Sequence, residues 1–115
     1  MVKIEKIETK LSTAGPYSPC IKAGNMIFVS GQIGLPAENI QDQTAQAFKK
    51  IKELLENAGA TVKSIVKVNV YLKDINDFSK MNEAYERFFK ENGMEIYPTR
   101  TTVEVSNLPI EKMLI

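Results

Sequence analysis

The chain contains no histidine and no tryptophan, and its only cysteine is Cys20. Without histidine, the Ser–His–Asp type of nucleophile, the imidazole proton shuttle and the His-ligated zinc site are excluded. A lone thiol excludes an internal disulfide. Chemistry is left to carboxylates, arginine, lysine, tyrosine, serine, that thiol, backbone dipoles or a bound water. No apolar run approaches the ~20 residues that a membrane span needs, and the opening MVKIEKIETK has no apolar signal core. A cytoplasmic protein with no membrane partner is the expectation. Neither charge sign dominates: fifteen Lys plus Arg stand against fourteen Asp plus Glu, a formal charge of +1. The signs are interspersed, as in KKIKELLEN, which reads as a solvated helix face. A nucleic-acid binder would show a basic stripe, so that class of partner is disfavoured. Internal repeats, low-complexity tracts and a Gly-rich phosphate loop are also missing.

What is present is the composition of a folded domain, 43% apolar and 25% charged over 115 residues. That length supports one core and is too short for two, so residues 1–115 read as a single domain. An extended piece over Ile4 to Glu8 leads into TAGPYSPC. Strands are predicted over Cys20 to Lys22 and Met26 to Ser30, joined by the turn Ala23, Gly24, Asn25. Met26 to Val29 is apolar at every position, which predicts cover on both faces. Helical spacing of Ala47, Phe48, Ile51, Leu54, Leu55 and Ala58 predicts a helix from about Gln43 to Ala58, with Asn39 or Asp42 as N-cap and Gly59 at the C-terminus. A strand over Ser64 to Leu72 places Val66, Val68, Val70 and Leu72 on one face and Lys67, Asn69 and Tyr71 on the other. A second helix starts at Asn76 or Asp77, buries Phe78, Met81, Tyr85, Phe88 and Phe89, and stops at Gly93. Thr101 to Val105 reads as a strand, and Lys112 to Ile115 as the opening of another. The fold class is therefore α+β, with two helices on one face of a sheet. The opposite face, carrying Tyr71, Asn69, Thr102 and half of the apolar run Met26 to Val29, is too hydrophobic to stay wholly wet and predicts self-association.

Several residues are candidates for a site. Arg100, after Pro98 and between threonines, offers a planar fork suited to a small carboxylate; as an ordinary arginine it would pair with Glu104 or a helix acid. Tyr17 sits on a stiff Gly/Pro arm, either plugging a core edge or presenting its hydroxyl to a ligand. Ser30 and Gly31 close an apolar strand, either as a strand end or as a donor beside closely approaching backbone. Asn82 lies beside the apolar helix stripe, where an amide needs packing or ligand partners. Cys20 reads as a small buried hydrophobe, since nothing in the sequence lowers its pKa.

The segments AGPYSPCIKAGNMIFVSGQIG, QDQTAQAFKKIKELLENAG, VKVNVYLKDINDFSKMNEAYERFF and YPTRTTVEVSNLP, from Gly15 to Pro109, resemble the Rid family, the YjgF-type enamine/imine deaminases. The resemblance implies a chorismate-mutase-like domain with a mixed sheet, assembled as a homotrimer around a central barrel with clefts between subunits. It implies hydrolysis of 2-imino acids such as 2-iminobutanoate and 2-iminopropanoate to 2-oxo acids and ammonia, with no cofactor and no metal. By position it implies Arg100 as the carboxylate-binding residue, with Tyr17 and Ser30 as the other catalytic-wall groups. Gly31, Asn82 and Thr102 fall at substrate-binding positions, and Cys20 inherits no role. The segment LPAENIQ is shorter than in relatives. The family's final strand, with a glutamate that orients the water, is expected to be missing or truncated, since the sequence stops at Ile115. Two further readings follow from the same residues: a trimeric binder of small carboxylates without turnover, and an RNA-acting translation inhibitor, which the balanced charge and lack of histidine oppose.

Overall fold

The computed structural model describes all residues, Met1–Ile115. Its order is β1 (Ile4–Lys6), β2 (Cys20–Ala23), β3 (Met26–Val29), α1 (Ile40–Asn57), β4 (Lys67–Leu72), α2 (Phe78–Glu91) and β5 (Thr99–Glu104), with short 3-10 turns at Val62–Ser64 and Ile75–Asp77. The α+β class and the two helices packed against strands agree with the sequence. The strands, however, form two hydrogen-bonded sheets instead of one mixed sheet: β1-β2-β3 is antiparallel, and β4 pairs with β5 in parallel. No ladder joins β3 to the second pair. Ser30 N–H donates to Pro19 C=O and Lys50 Nζ donates to Ile33 C=O at 2.6 Å.

Asn39 is the cap that starts α1, so the helix begins before Gln43. Its side-chain oxygen accepts from Asp42 N–H at 2.8 Å and its amide returns a bond to the Asp42 carboxylate at 2.9 Å. This satisfies an N–H that the helix itself leaves without a partner. Two turns on, Phe48 stacks on Phe88 of α2 at 4.5 Å between centroids and meets the edges of Tyr85 and Phe89 at 5.4 Å each. These rings join Ile40, Val62, Val70, Leu72 and Met81 in one core. The alternation in β4 points Val70 and Leu72 into that core, while Tyr71 stays half exposed on the far side.

Several boundaries and faces differ from the sequence reading. The 3-10 turn at Val62–Ser64 takes Ser64, the residue expected to begin β4; the strand starts at Lys67 and Val66 is 74% exposed. The apolar run of β3 is covered on one face only, leaving Met26 and Phe28 more than half exposed in the single chain. Phe78 lies at the first residue of α2, where one side faces solvent, and is 39% exposed. The residues after Lys112 make no strand. Met113 is buried and Leu114 C=O accepts from Lys73 N–H, one bond at the end of β4.

Gln43 ties the chain together at the start of α1. Fully buried, its amide donates to Ala37 C=O and Lys112 C=O, and its oxygen accepts from Leu114 N–H. Three separate segments thus meet on one side chain whose polar atoms are all satisfied. The backbone of Gln43 is reached by Gly34, where a Cβ would fall 1.9 Å from Gln43 O. Only glycine fits there, since the obstacle is helix backbone and cannot rotate away. Gly34→Ala is expected to lower stability by about 3 kcal/mol or more; an unchanged urea midpoint would contradict this close approach.

Candidate functional site

The stripe Phe78, Met81, Tyr85 runs along α2 at i, i+3 and i+7, one face of a helix. The parallel register pairs Val68 with Arg100 and Val70 with Thr102, so Arg100 and Thr102 share the helix-facing side of β5. Thr102, expected on the uncovered face with Tyr71, instead lies opposite it because its partner Val70 points into the core. The guanidinium carbon of Arg100 lies over the Tyr85 ring at 4.6 Å and over the Phe78 ring at 5.4 Å, and Nη1 approaches Met81 Sδ at 4.0 Å. No carboxylate pairs with it. The ion pairs of the chain are Lys3–Glu5 and Lys90–Glu86. Glu104, the acid nearest in sequence, instead accepts from Ile75 N–H at 2.9 Å.

On the two elements that hold this cation, three side-chain oxygens are buried without a hydrogen-bond partner: Asn82 Oδ1, Tyr85 Oη and Thr102 Oγ1. Asn82 and Tyr85 stand three apart on α2, and Thr102 lies two residues beyond Arg100 on the same strand face. Each unpaired oxygen costs the fold part of its lost hydration, and such groups collect where a ligand supplies the missing partner. Burial pushes the Tyr85 phenol up from its ordinary value, opposed by the nearby Arg100 charge and assisted by Tyr97. The phenol is therefore neutral at physiological pH, a hydrogen-bonding group and not a base. Tyr85 was legible only as a core aromatic, because the stripe pattern carries no sign of which strand lies across it.

The other predicted residues form a second group. Tyr17 and Gly31 line one groove of about 190 Å³ with Gln32, Ile33 and Lys50. Half exposed, Tyr17 folds its hydroxyl back to accept from Ala14 N–H at 3.3 Å, and Tyr17 N–H donates to Gly15 C=O. The arm is thus held by its own hydrogen bonds. The Ser30 hydroxyl donates to Ser18 C=O at 2.7 Å, which fixes the arm to the end of β3 and leaves that oxygen only as an acceptor. Nothing approaches within 4 Å of a side chain built at Gly31. No hydrogen bond or ring contact joins Tyr17, Ser30 or Gly31 to Arg100, Asn82 or Thr102 within the chain. Cys20 is fully buried and its thiol is pushed up by burial, which makes it inert as a nucleophile. No cluster of metal-ligating side chains is present.

Comparison with known proteins gives these two groups a context. The family described as Endoribonuclease L-PSP matches residues 7–115. A RutC family protein of Pyrococcus abyssi is 48% identical over 107 residues, covering 87% of this chain and 81% of its own. This chain belongs to the Rid/YjgF family. Reactive Intermediate Deaminase A of Arabidopsis thaliana is 38% identical over 118 residues, 95% of this chain and 61% of that longer protein. Among solved structures, Escherichia coli TdcF with bound serine superposes with a TM-score of 0.88 at 36% identity, covering 96% of this chain and 91% of that one. Membership of the family agrees with the motif-based expectation, and the fold of two helices against strands is shared.

The Tyr85 phenol has a consequence for stability. A folded-state pKa raised above the unfolded one contributes nothing to pH dependence below the unfolded value, and the fold loses stability as pH climbs from there through the folded pKa. Relative to Tyr85→Phe, the wild-type stability is expected to hold constant up to about pH 9 and to fall above about pH 10. Urea denaturation of both proteins across that range measures it, and parallel curves throughout would contradict the burial of the phenol.

Proposed function

We propose that this protein hydrolyses small 2-imino acids, 2-iminobutanoate and 2-iminopropanoate, to 2-oxo acids and ammonia, in clefts completed between three copies of the chain. The observation that supports this most directly is Arg100, half buried and without a carboxylate, on elements that carry three buried oxygens lacking partners. A planar carboxylate fits the guanidinium fork through two parallel hydrogen bonds. The amide of Asn82 and the hydroxyl of Thr102 are then available to the nitrogen end of the same small molecule. Water adds to the C=N carbon, the nitrogen takes up protons, and the carbinolamine collapses to the 2-oxo acid with release of ammonia. Orientation is the main contribution of the protein, because an imine carbon needs no metal to be attacked once a water is placed against it.

Tyr17, Ser30 and Gly31 enter this reading from a neighbouring copy. They lie apart from Arg100 within one chain, on the other sheet, and the Tyr17–Gly31 groove is open. Exposed apolar side chains on both sheets, Met26 and Phe28 on β3 with the facing pair Tyr71 and Val103 on β4 and β5, supply a surface for self-association. The name of the Arabidopsis relative, a reactive intermediate deaminase, and the serine held by TdcF both suit a site for a small amino-acid-like carboxylate. A second reading, a binder of 2-oxo or amino acids without turnover, uses the same open guanidinium fork, and turnover separates the two.

Formation of 2-oxobutanoate from enzymatically generated 2-iminobutanoate tests the proposal. Arg100→Ala is expected to lower the accelerated hydrolysis by roughly 100-fold, and Arg100→Lys to restore little of it, since an ammonium cannot reproduce the fork. Equal turnover in Arg100→Ala would remove the central residue, and ligand binding without turnover in the wild type would select the binder. Sedimentation at micromolar concentration is expected to give a trimer; a monomer would leave Tyr17 with no route to Arg100.

A further inference from the structure

A half-buried arginine is ordinarily held by a carboxylate, because leaving its charge unpaired away from water is costly. Arg100 is held differently. Its neighbours on α2 are two ring faces and a thioether, none of which is a strong hydrogen-bond acceptor. A guanidinium has five N–H donors, and the single protein contact any of them makes is the 4.0 Å approach of Nη1 to Met81 Sδ. The attraction of the cation to the ring quadrupole lowers the cost of burial without occupying the donors.

We propose that Tyr85 is a positioning residue: with Phe78 it seats the Arg100 guanidinium on its ring face in place of a carboxylate, so that the donors stay open for the carboxylate of a small 2-oxo or 2-imino acid. The inference rests on the reading of Arg100 given above and adds the element that sets its affinity. A carboxylate in the place of Tyr85 would hold the arginine equally well but would compete with the ligand for the same fork. The seat also fixes direction. Tyr85 is 5% exposed and locked by Phe48 at 5.4 Å and Phe89 at 4.8 Å, so its ring cannot swing away. Phe78, at the open end of α2 and 39% exposed, supplies the second and softer side of the seat. A guanidinium between a rigid inner ring and an adjustable outer one keeps its lateral position. The spacing that builds this seat, 78, 81 and 85, is the same stripe that packs the helix. One face of α2 therefore both closes the core and carries the site.

The test reads the seat and the ligand separately. The side-chain proton signals of Arg100 are followed by NMR in the full-length wild type, Tyr85→Phe, Tyr85→Leu and Phe78→Leu, and 2-oxobutanoate is then titrated into each. Ring currents are expected to displace the Arg100 signals upfield in the wild type and in Tyr85→Phe, with most of that displacement lost in Tyr85→Leu and part of it in Phe78→Leu. The dissociation constant for 2-oxobutanoate is expected to rise about tenfold in Tyr85→Leu and about threefold in Phe78→Leu, with Tyr85→Phe recovering most of the loss. In the imine assay the loss falls on KM; a merely structural defect would lower the active fraction, and so kcat, with KM unchanged. Unmoved signals or wild-type affinity in a folded Tyr85→Leu would overturn the proposal. Should Tyr85→Leu not fold, Phe78→Leu decides it by the same two readings, and no change in either would overturn it. Ring-current shifts that follow the rings in a wild type that binds no 2-oxobutanoate would support the seat and sink the imino-acid reading instead.

Discussion

The packing of α2 across the parallel β4–β5 pair is the interaction on which the rest of this molecule depends. Phe89, Tyr85 and Met81 are nearly excluded from solvent between that pair and Phe48 of α1. Because a parallel pair needs a crossover, α2 must return the chain to the edge of β4, and its apolar face is pressed on the strands it connects. The register that results sets Arg100 level with Val68 and Thr102 level with Val70. One geometric solution thus closes the core and places a cation against rings.

The placement is consistent in its energetics. A stripe of apolar residues on a helix is buried for the sake of its area, and a cation over it would ordinarily be a liability. Aromatic faces and a thioether soften that cost while leaving hydrogen-bonding capacity unused. The buried oxygens of Asn82, Tyr85 and Thr102 add to the same imbalance: the chain carries polar groups here that it does not itself satisfy. Elsewhere it satisfies them fully, as at Gln43, where one amide makes three bonds to two other segments. The contrast is between a completed polar junction and an uncompleted one, and the uncompleted one is where the proposed site lies.

The proposed self-association and the proposed site are linked by the same physical shortage. The N-terminal sheet exposes Met26 and Phe28, and the second pair exposes Tyr71 and Val103, more apolar surface than so short a chain can hide. The arm bearing Tyr17 is ordered by local bonds to Ala14, Gly15 and Ser18 and needs no helix to hold it. It is a stiff projection available to a neighbour, and the groove beside it includes Gly31 and Lys50.

Much of this was legible in the sequence. Periodicity located both helices, the stops at Gly59 and Gly93 coincide with positive φ, and the cap at Asn39 was among the candidates. The absence of histidine and the position of Arg100 narrowed the chemistry before any coordinates. The exclusion of chemical classes, the helix faces and the family motifs are properties of residue type and spacing, so the sequence by itself determined them. Other features depend on what lies across the fold. Val66 lies outside the strand, between a 3-10 turn and Lys67, the strands divide into two sheets, and Tyr85 changed from core filler to neighbour of a cation. Arg100 remains open instead of pairing with Glu104, whose carboxylate accepts from Ile75 N–H. Only the tertiary structure decided these, because a residue's own pattern fixes which side it presents but not what arrives to meet it.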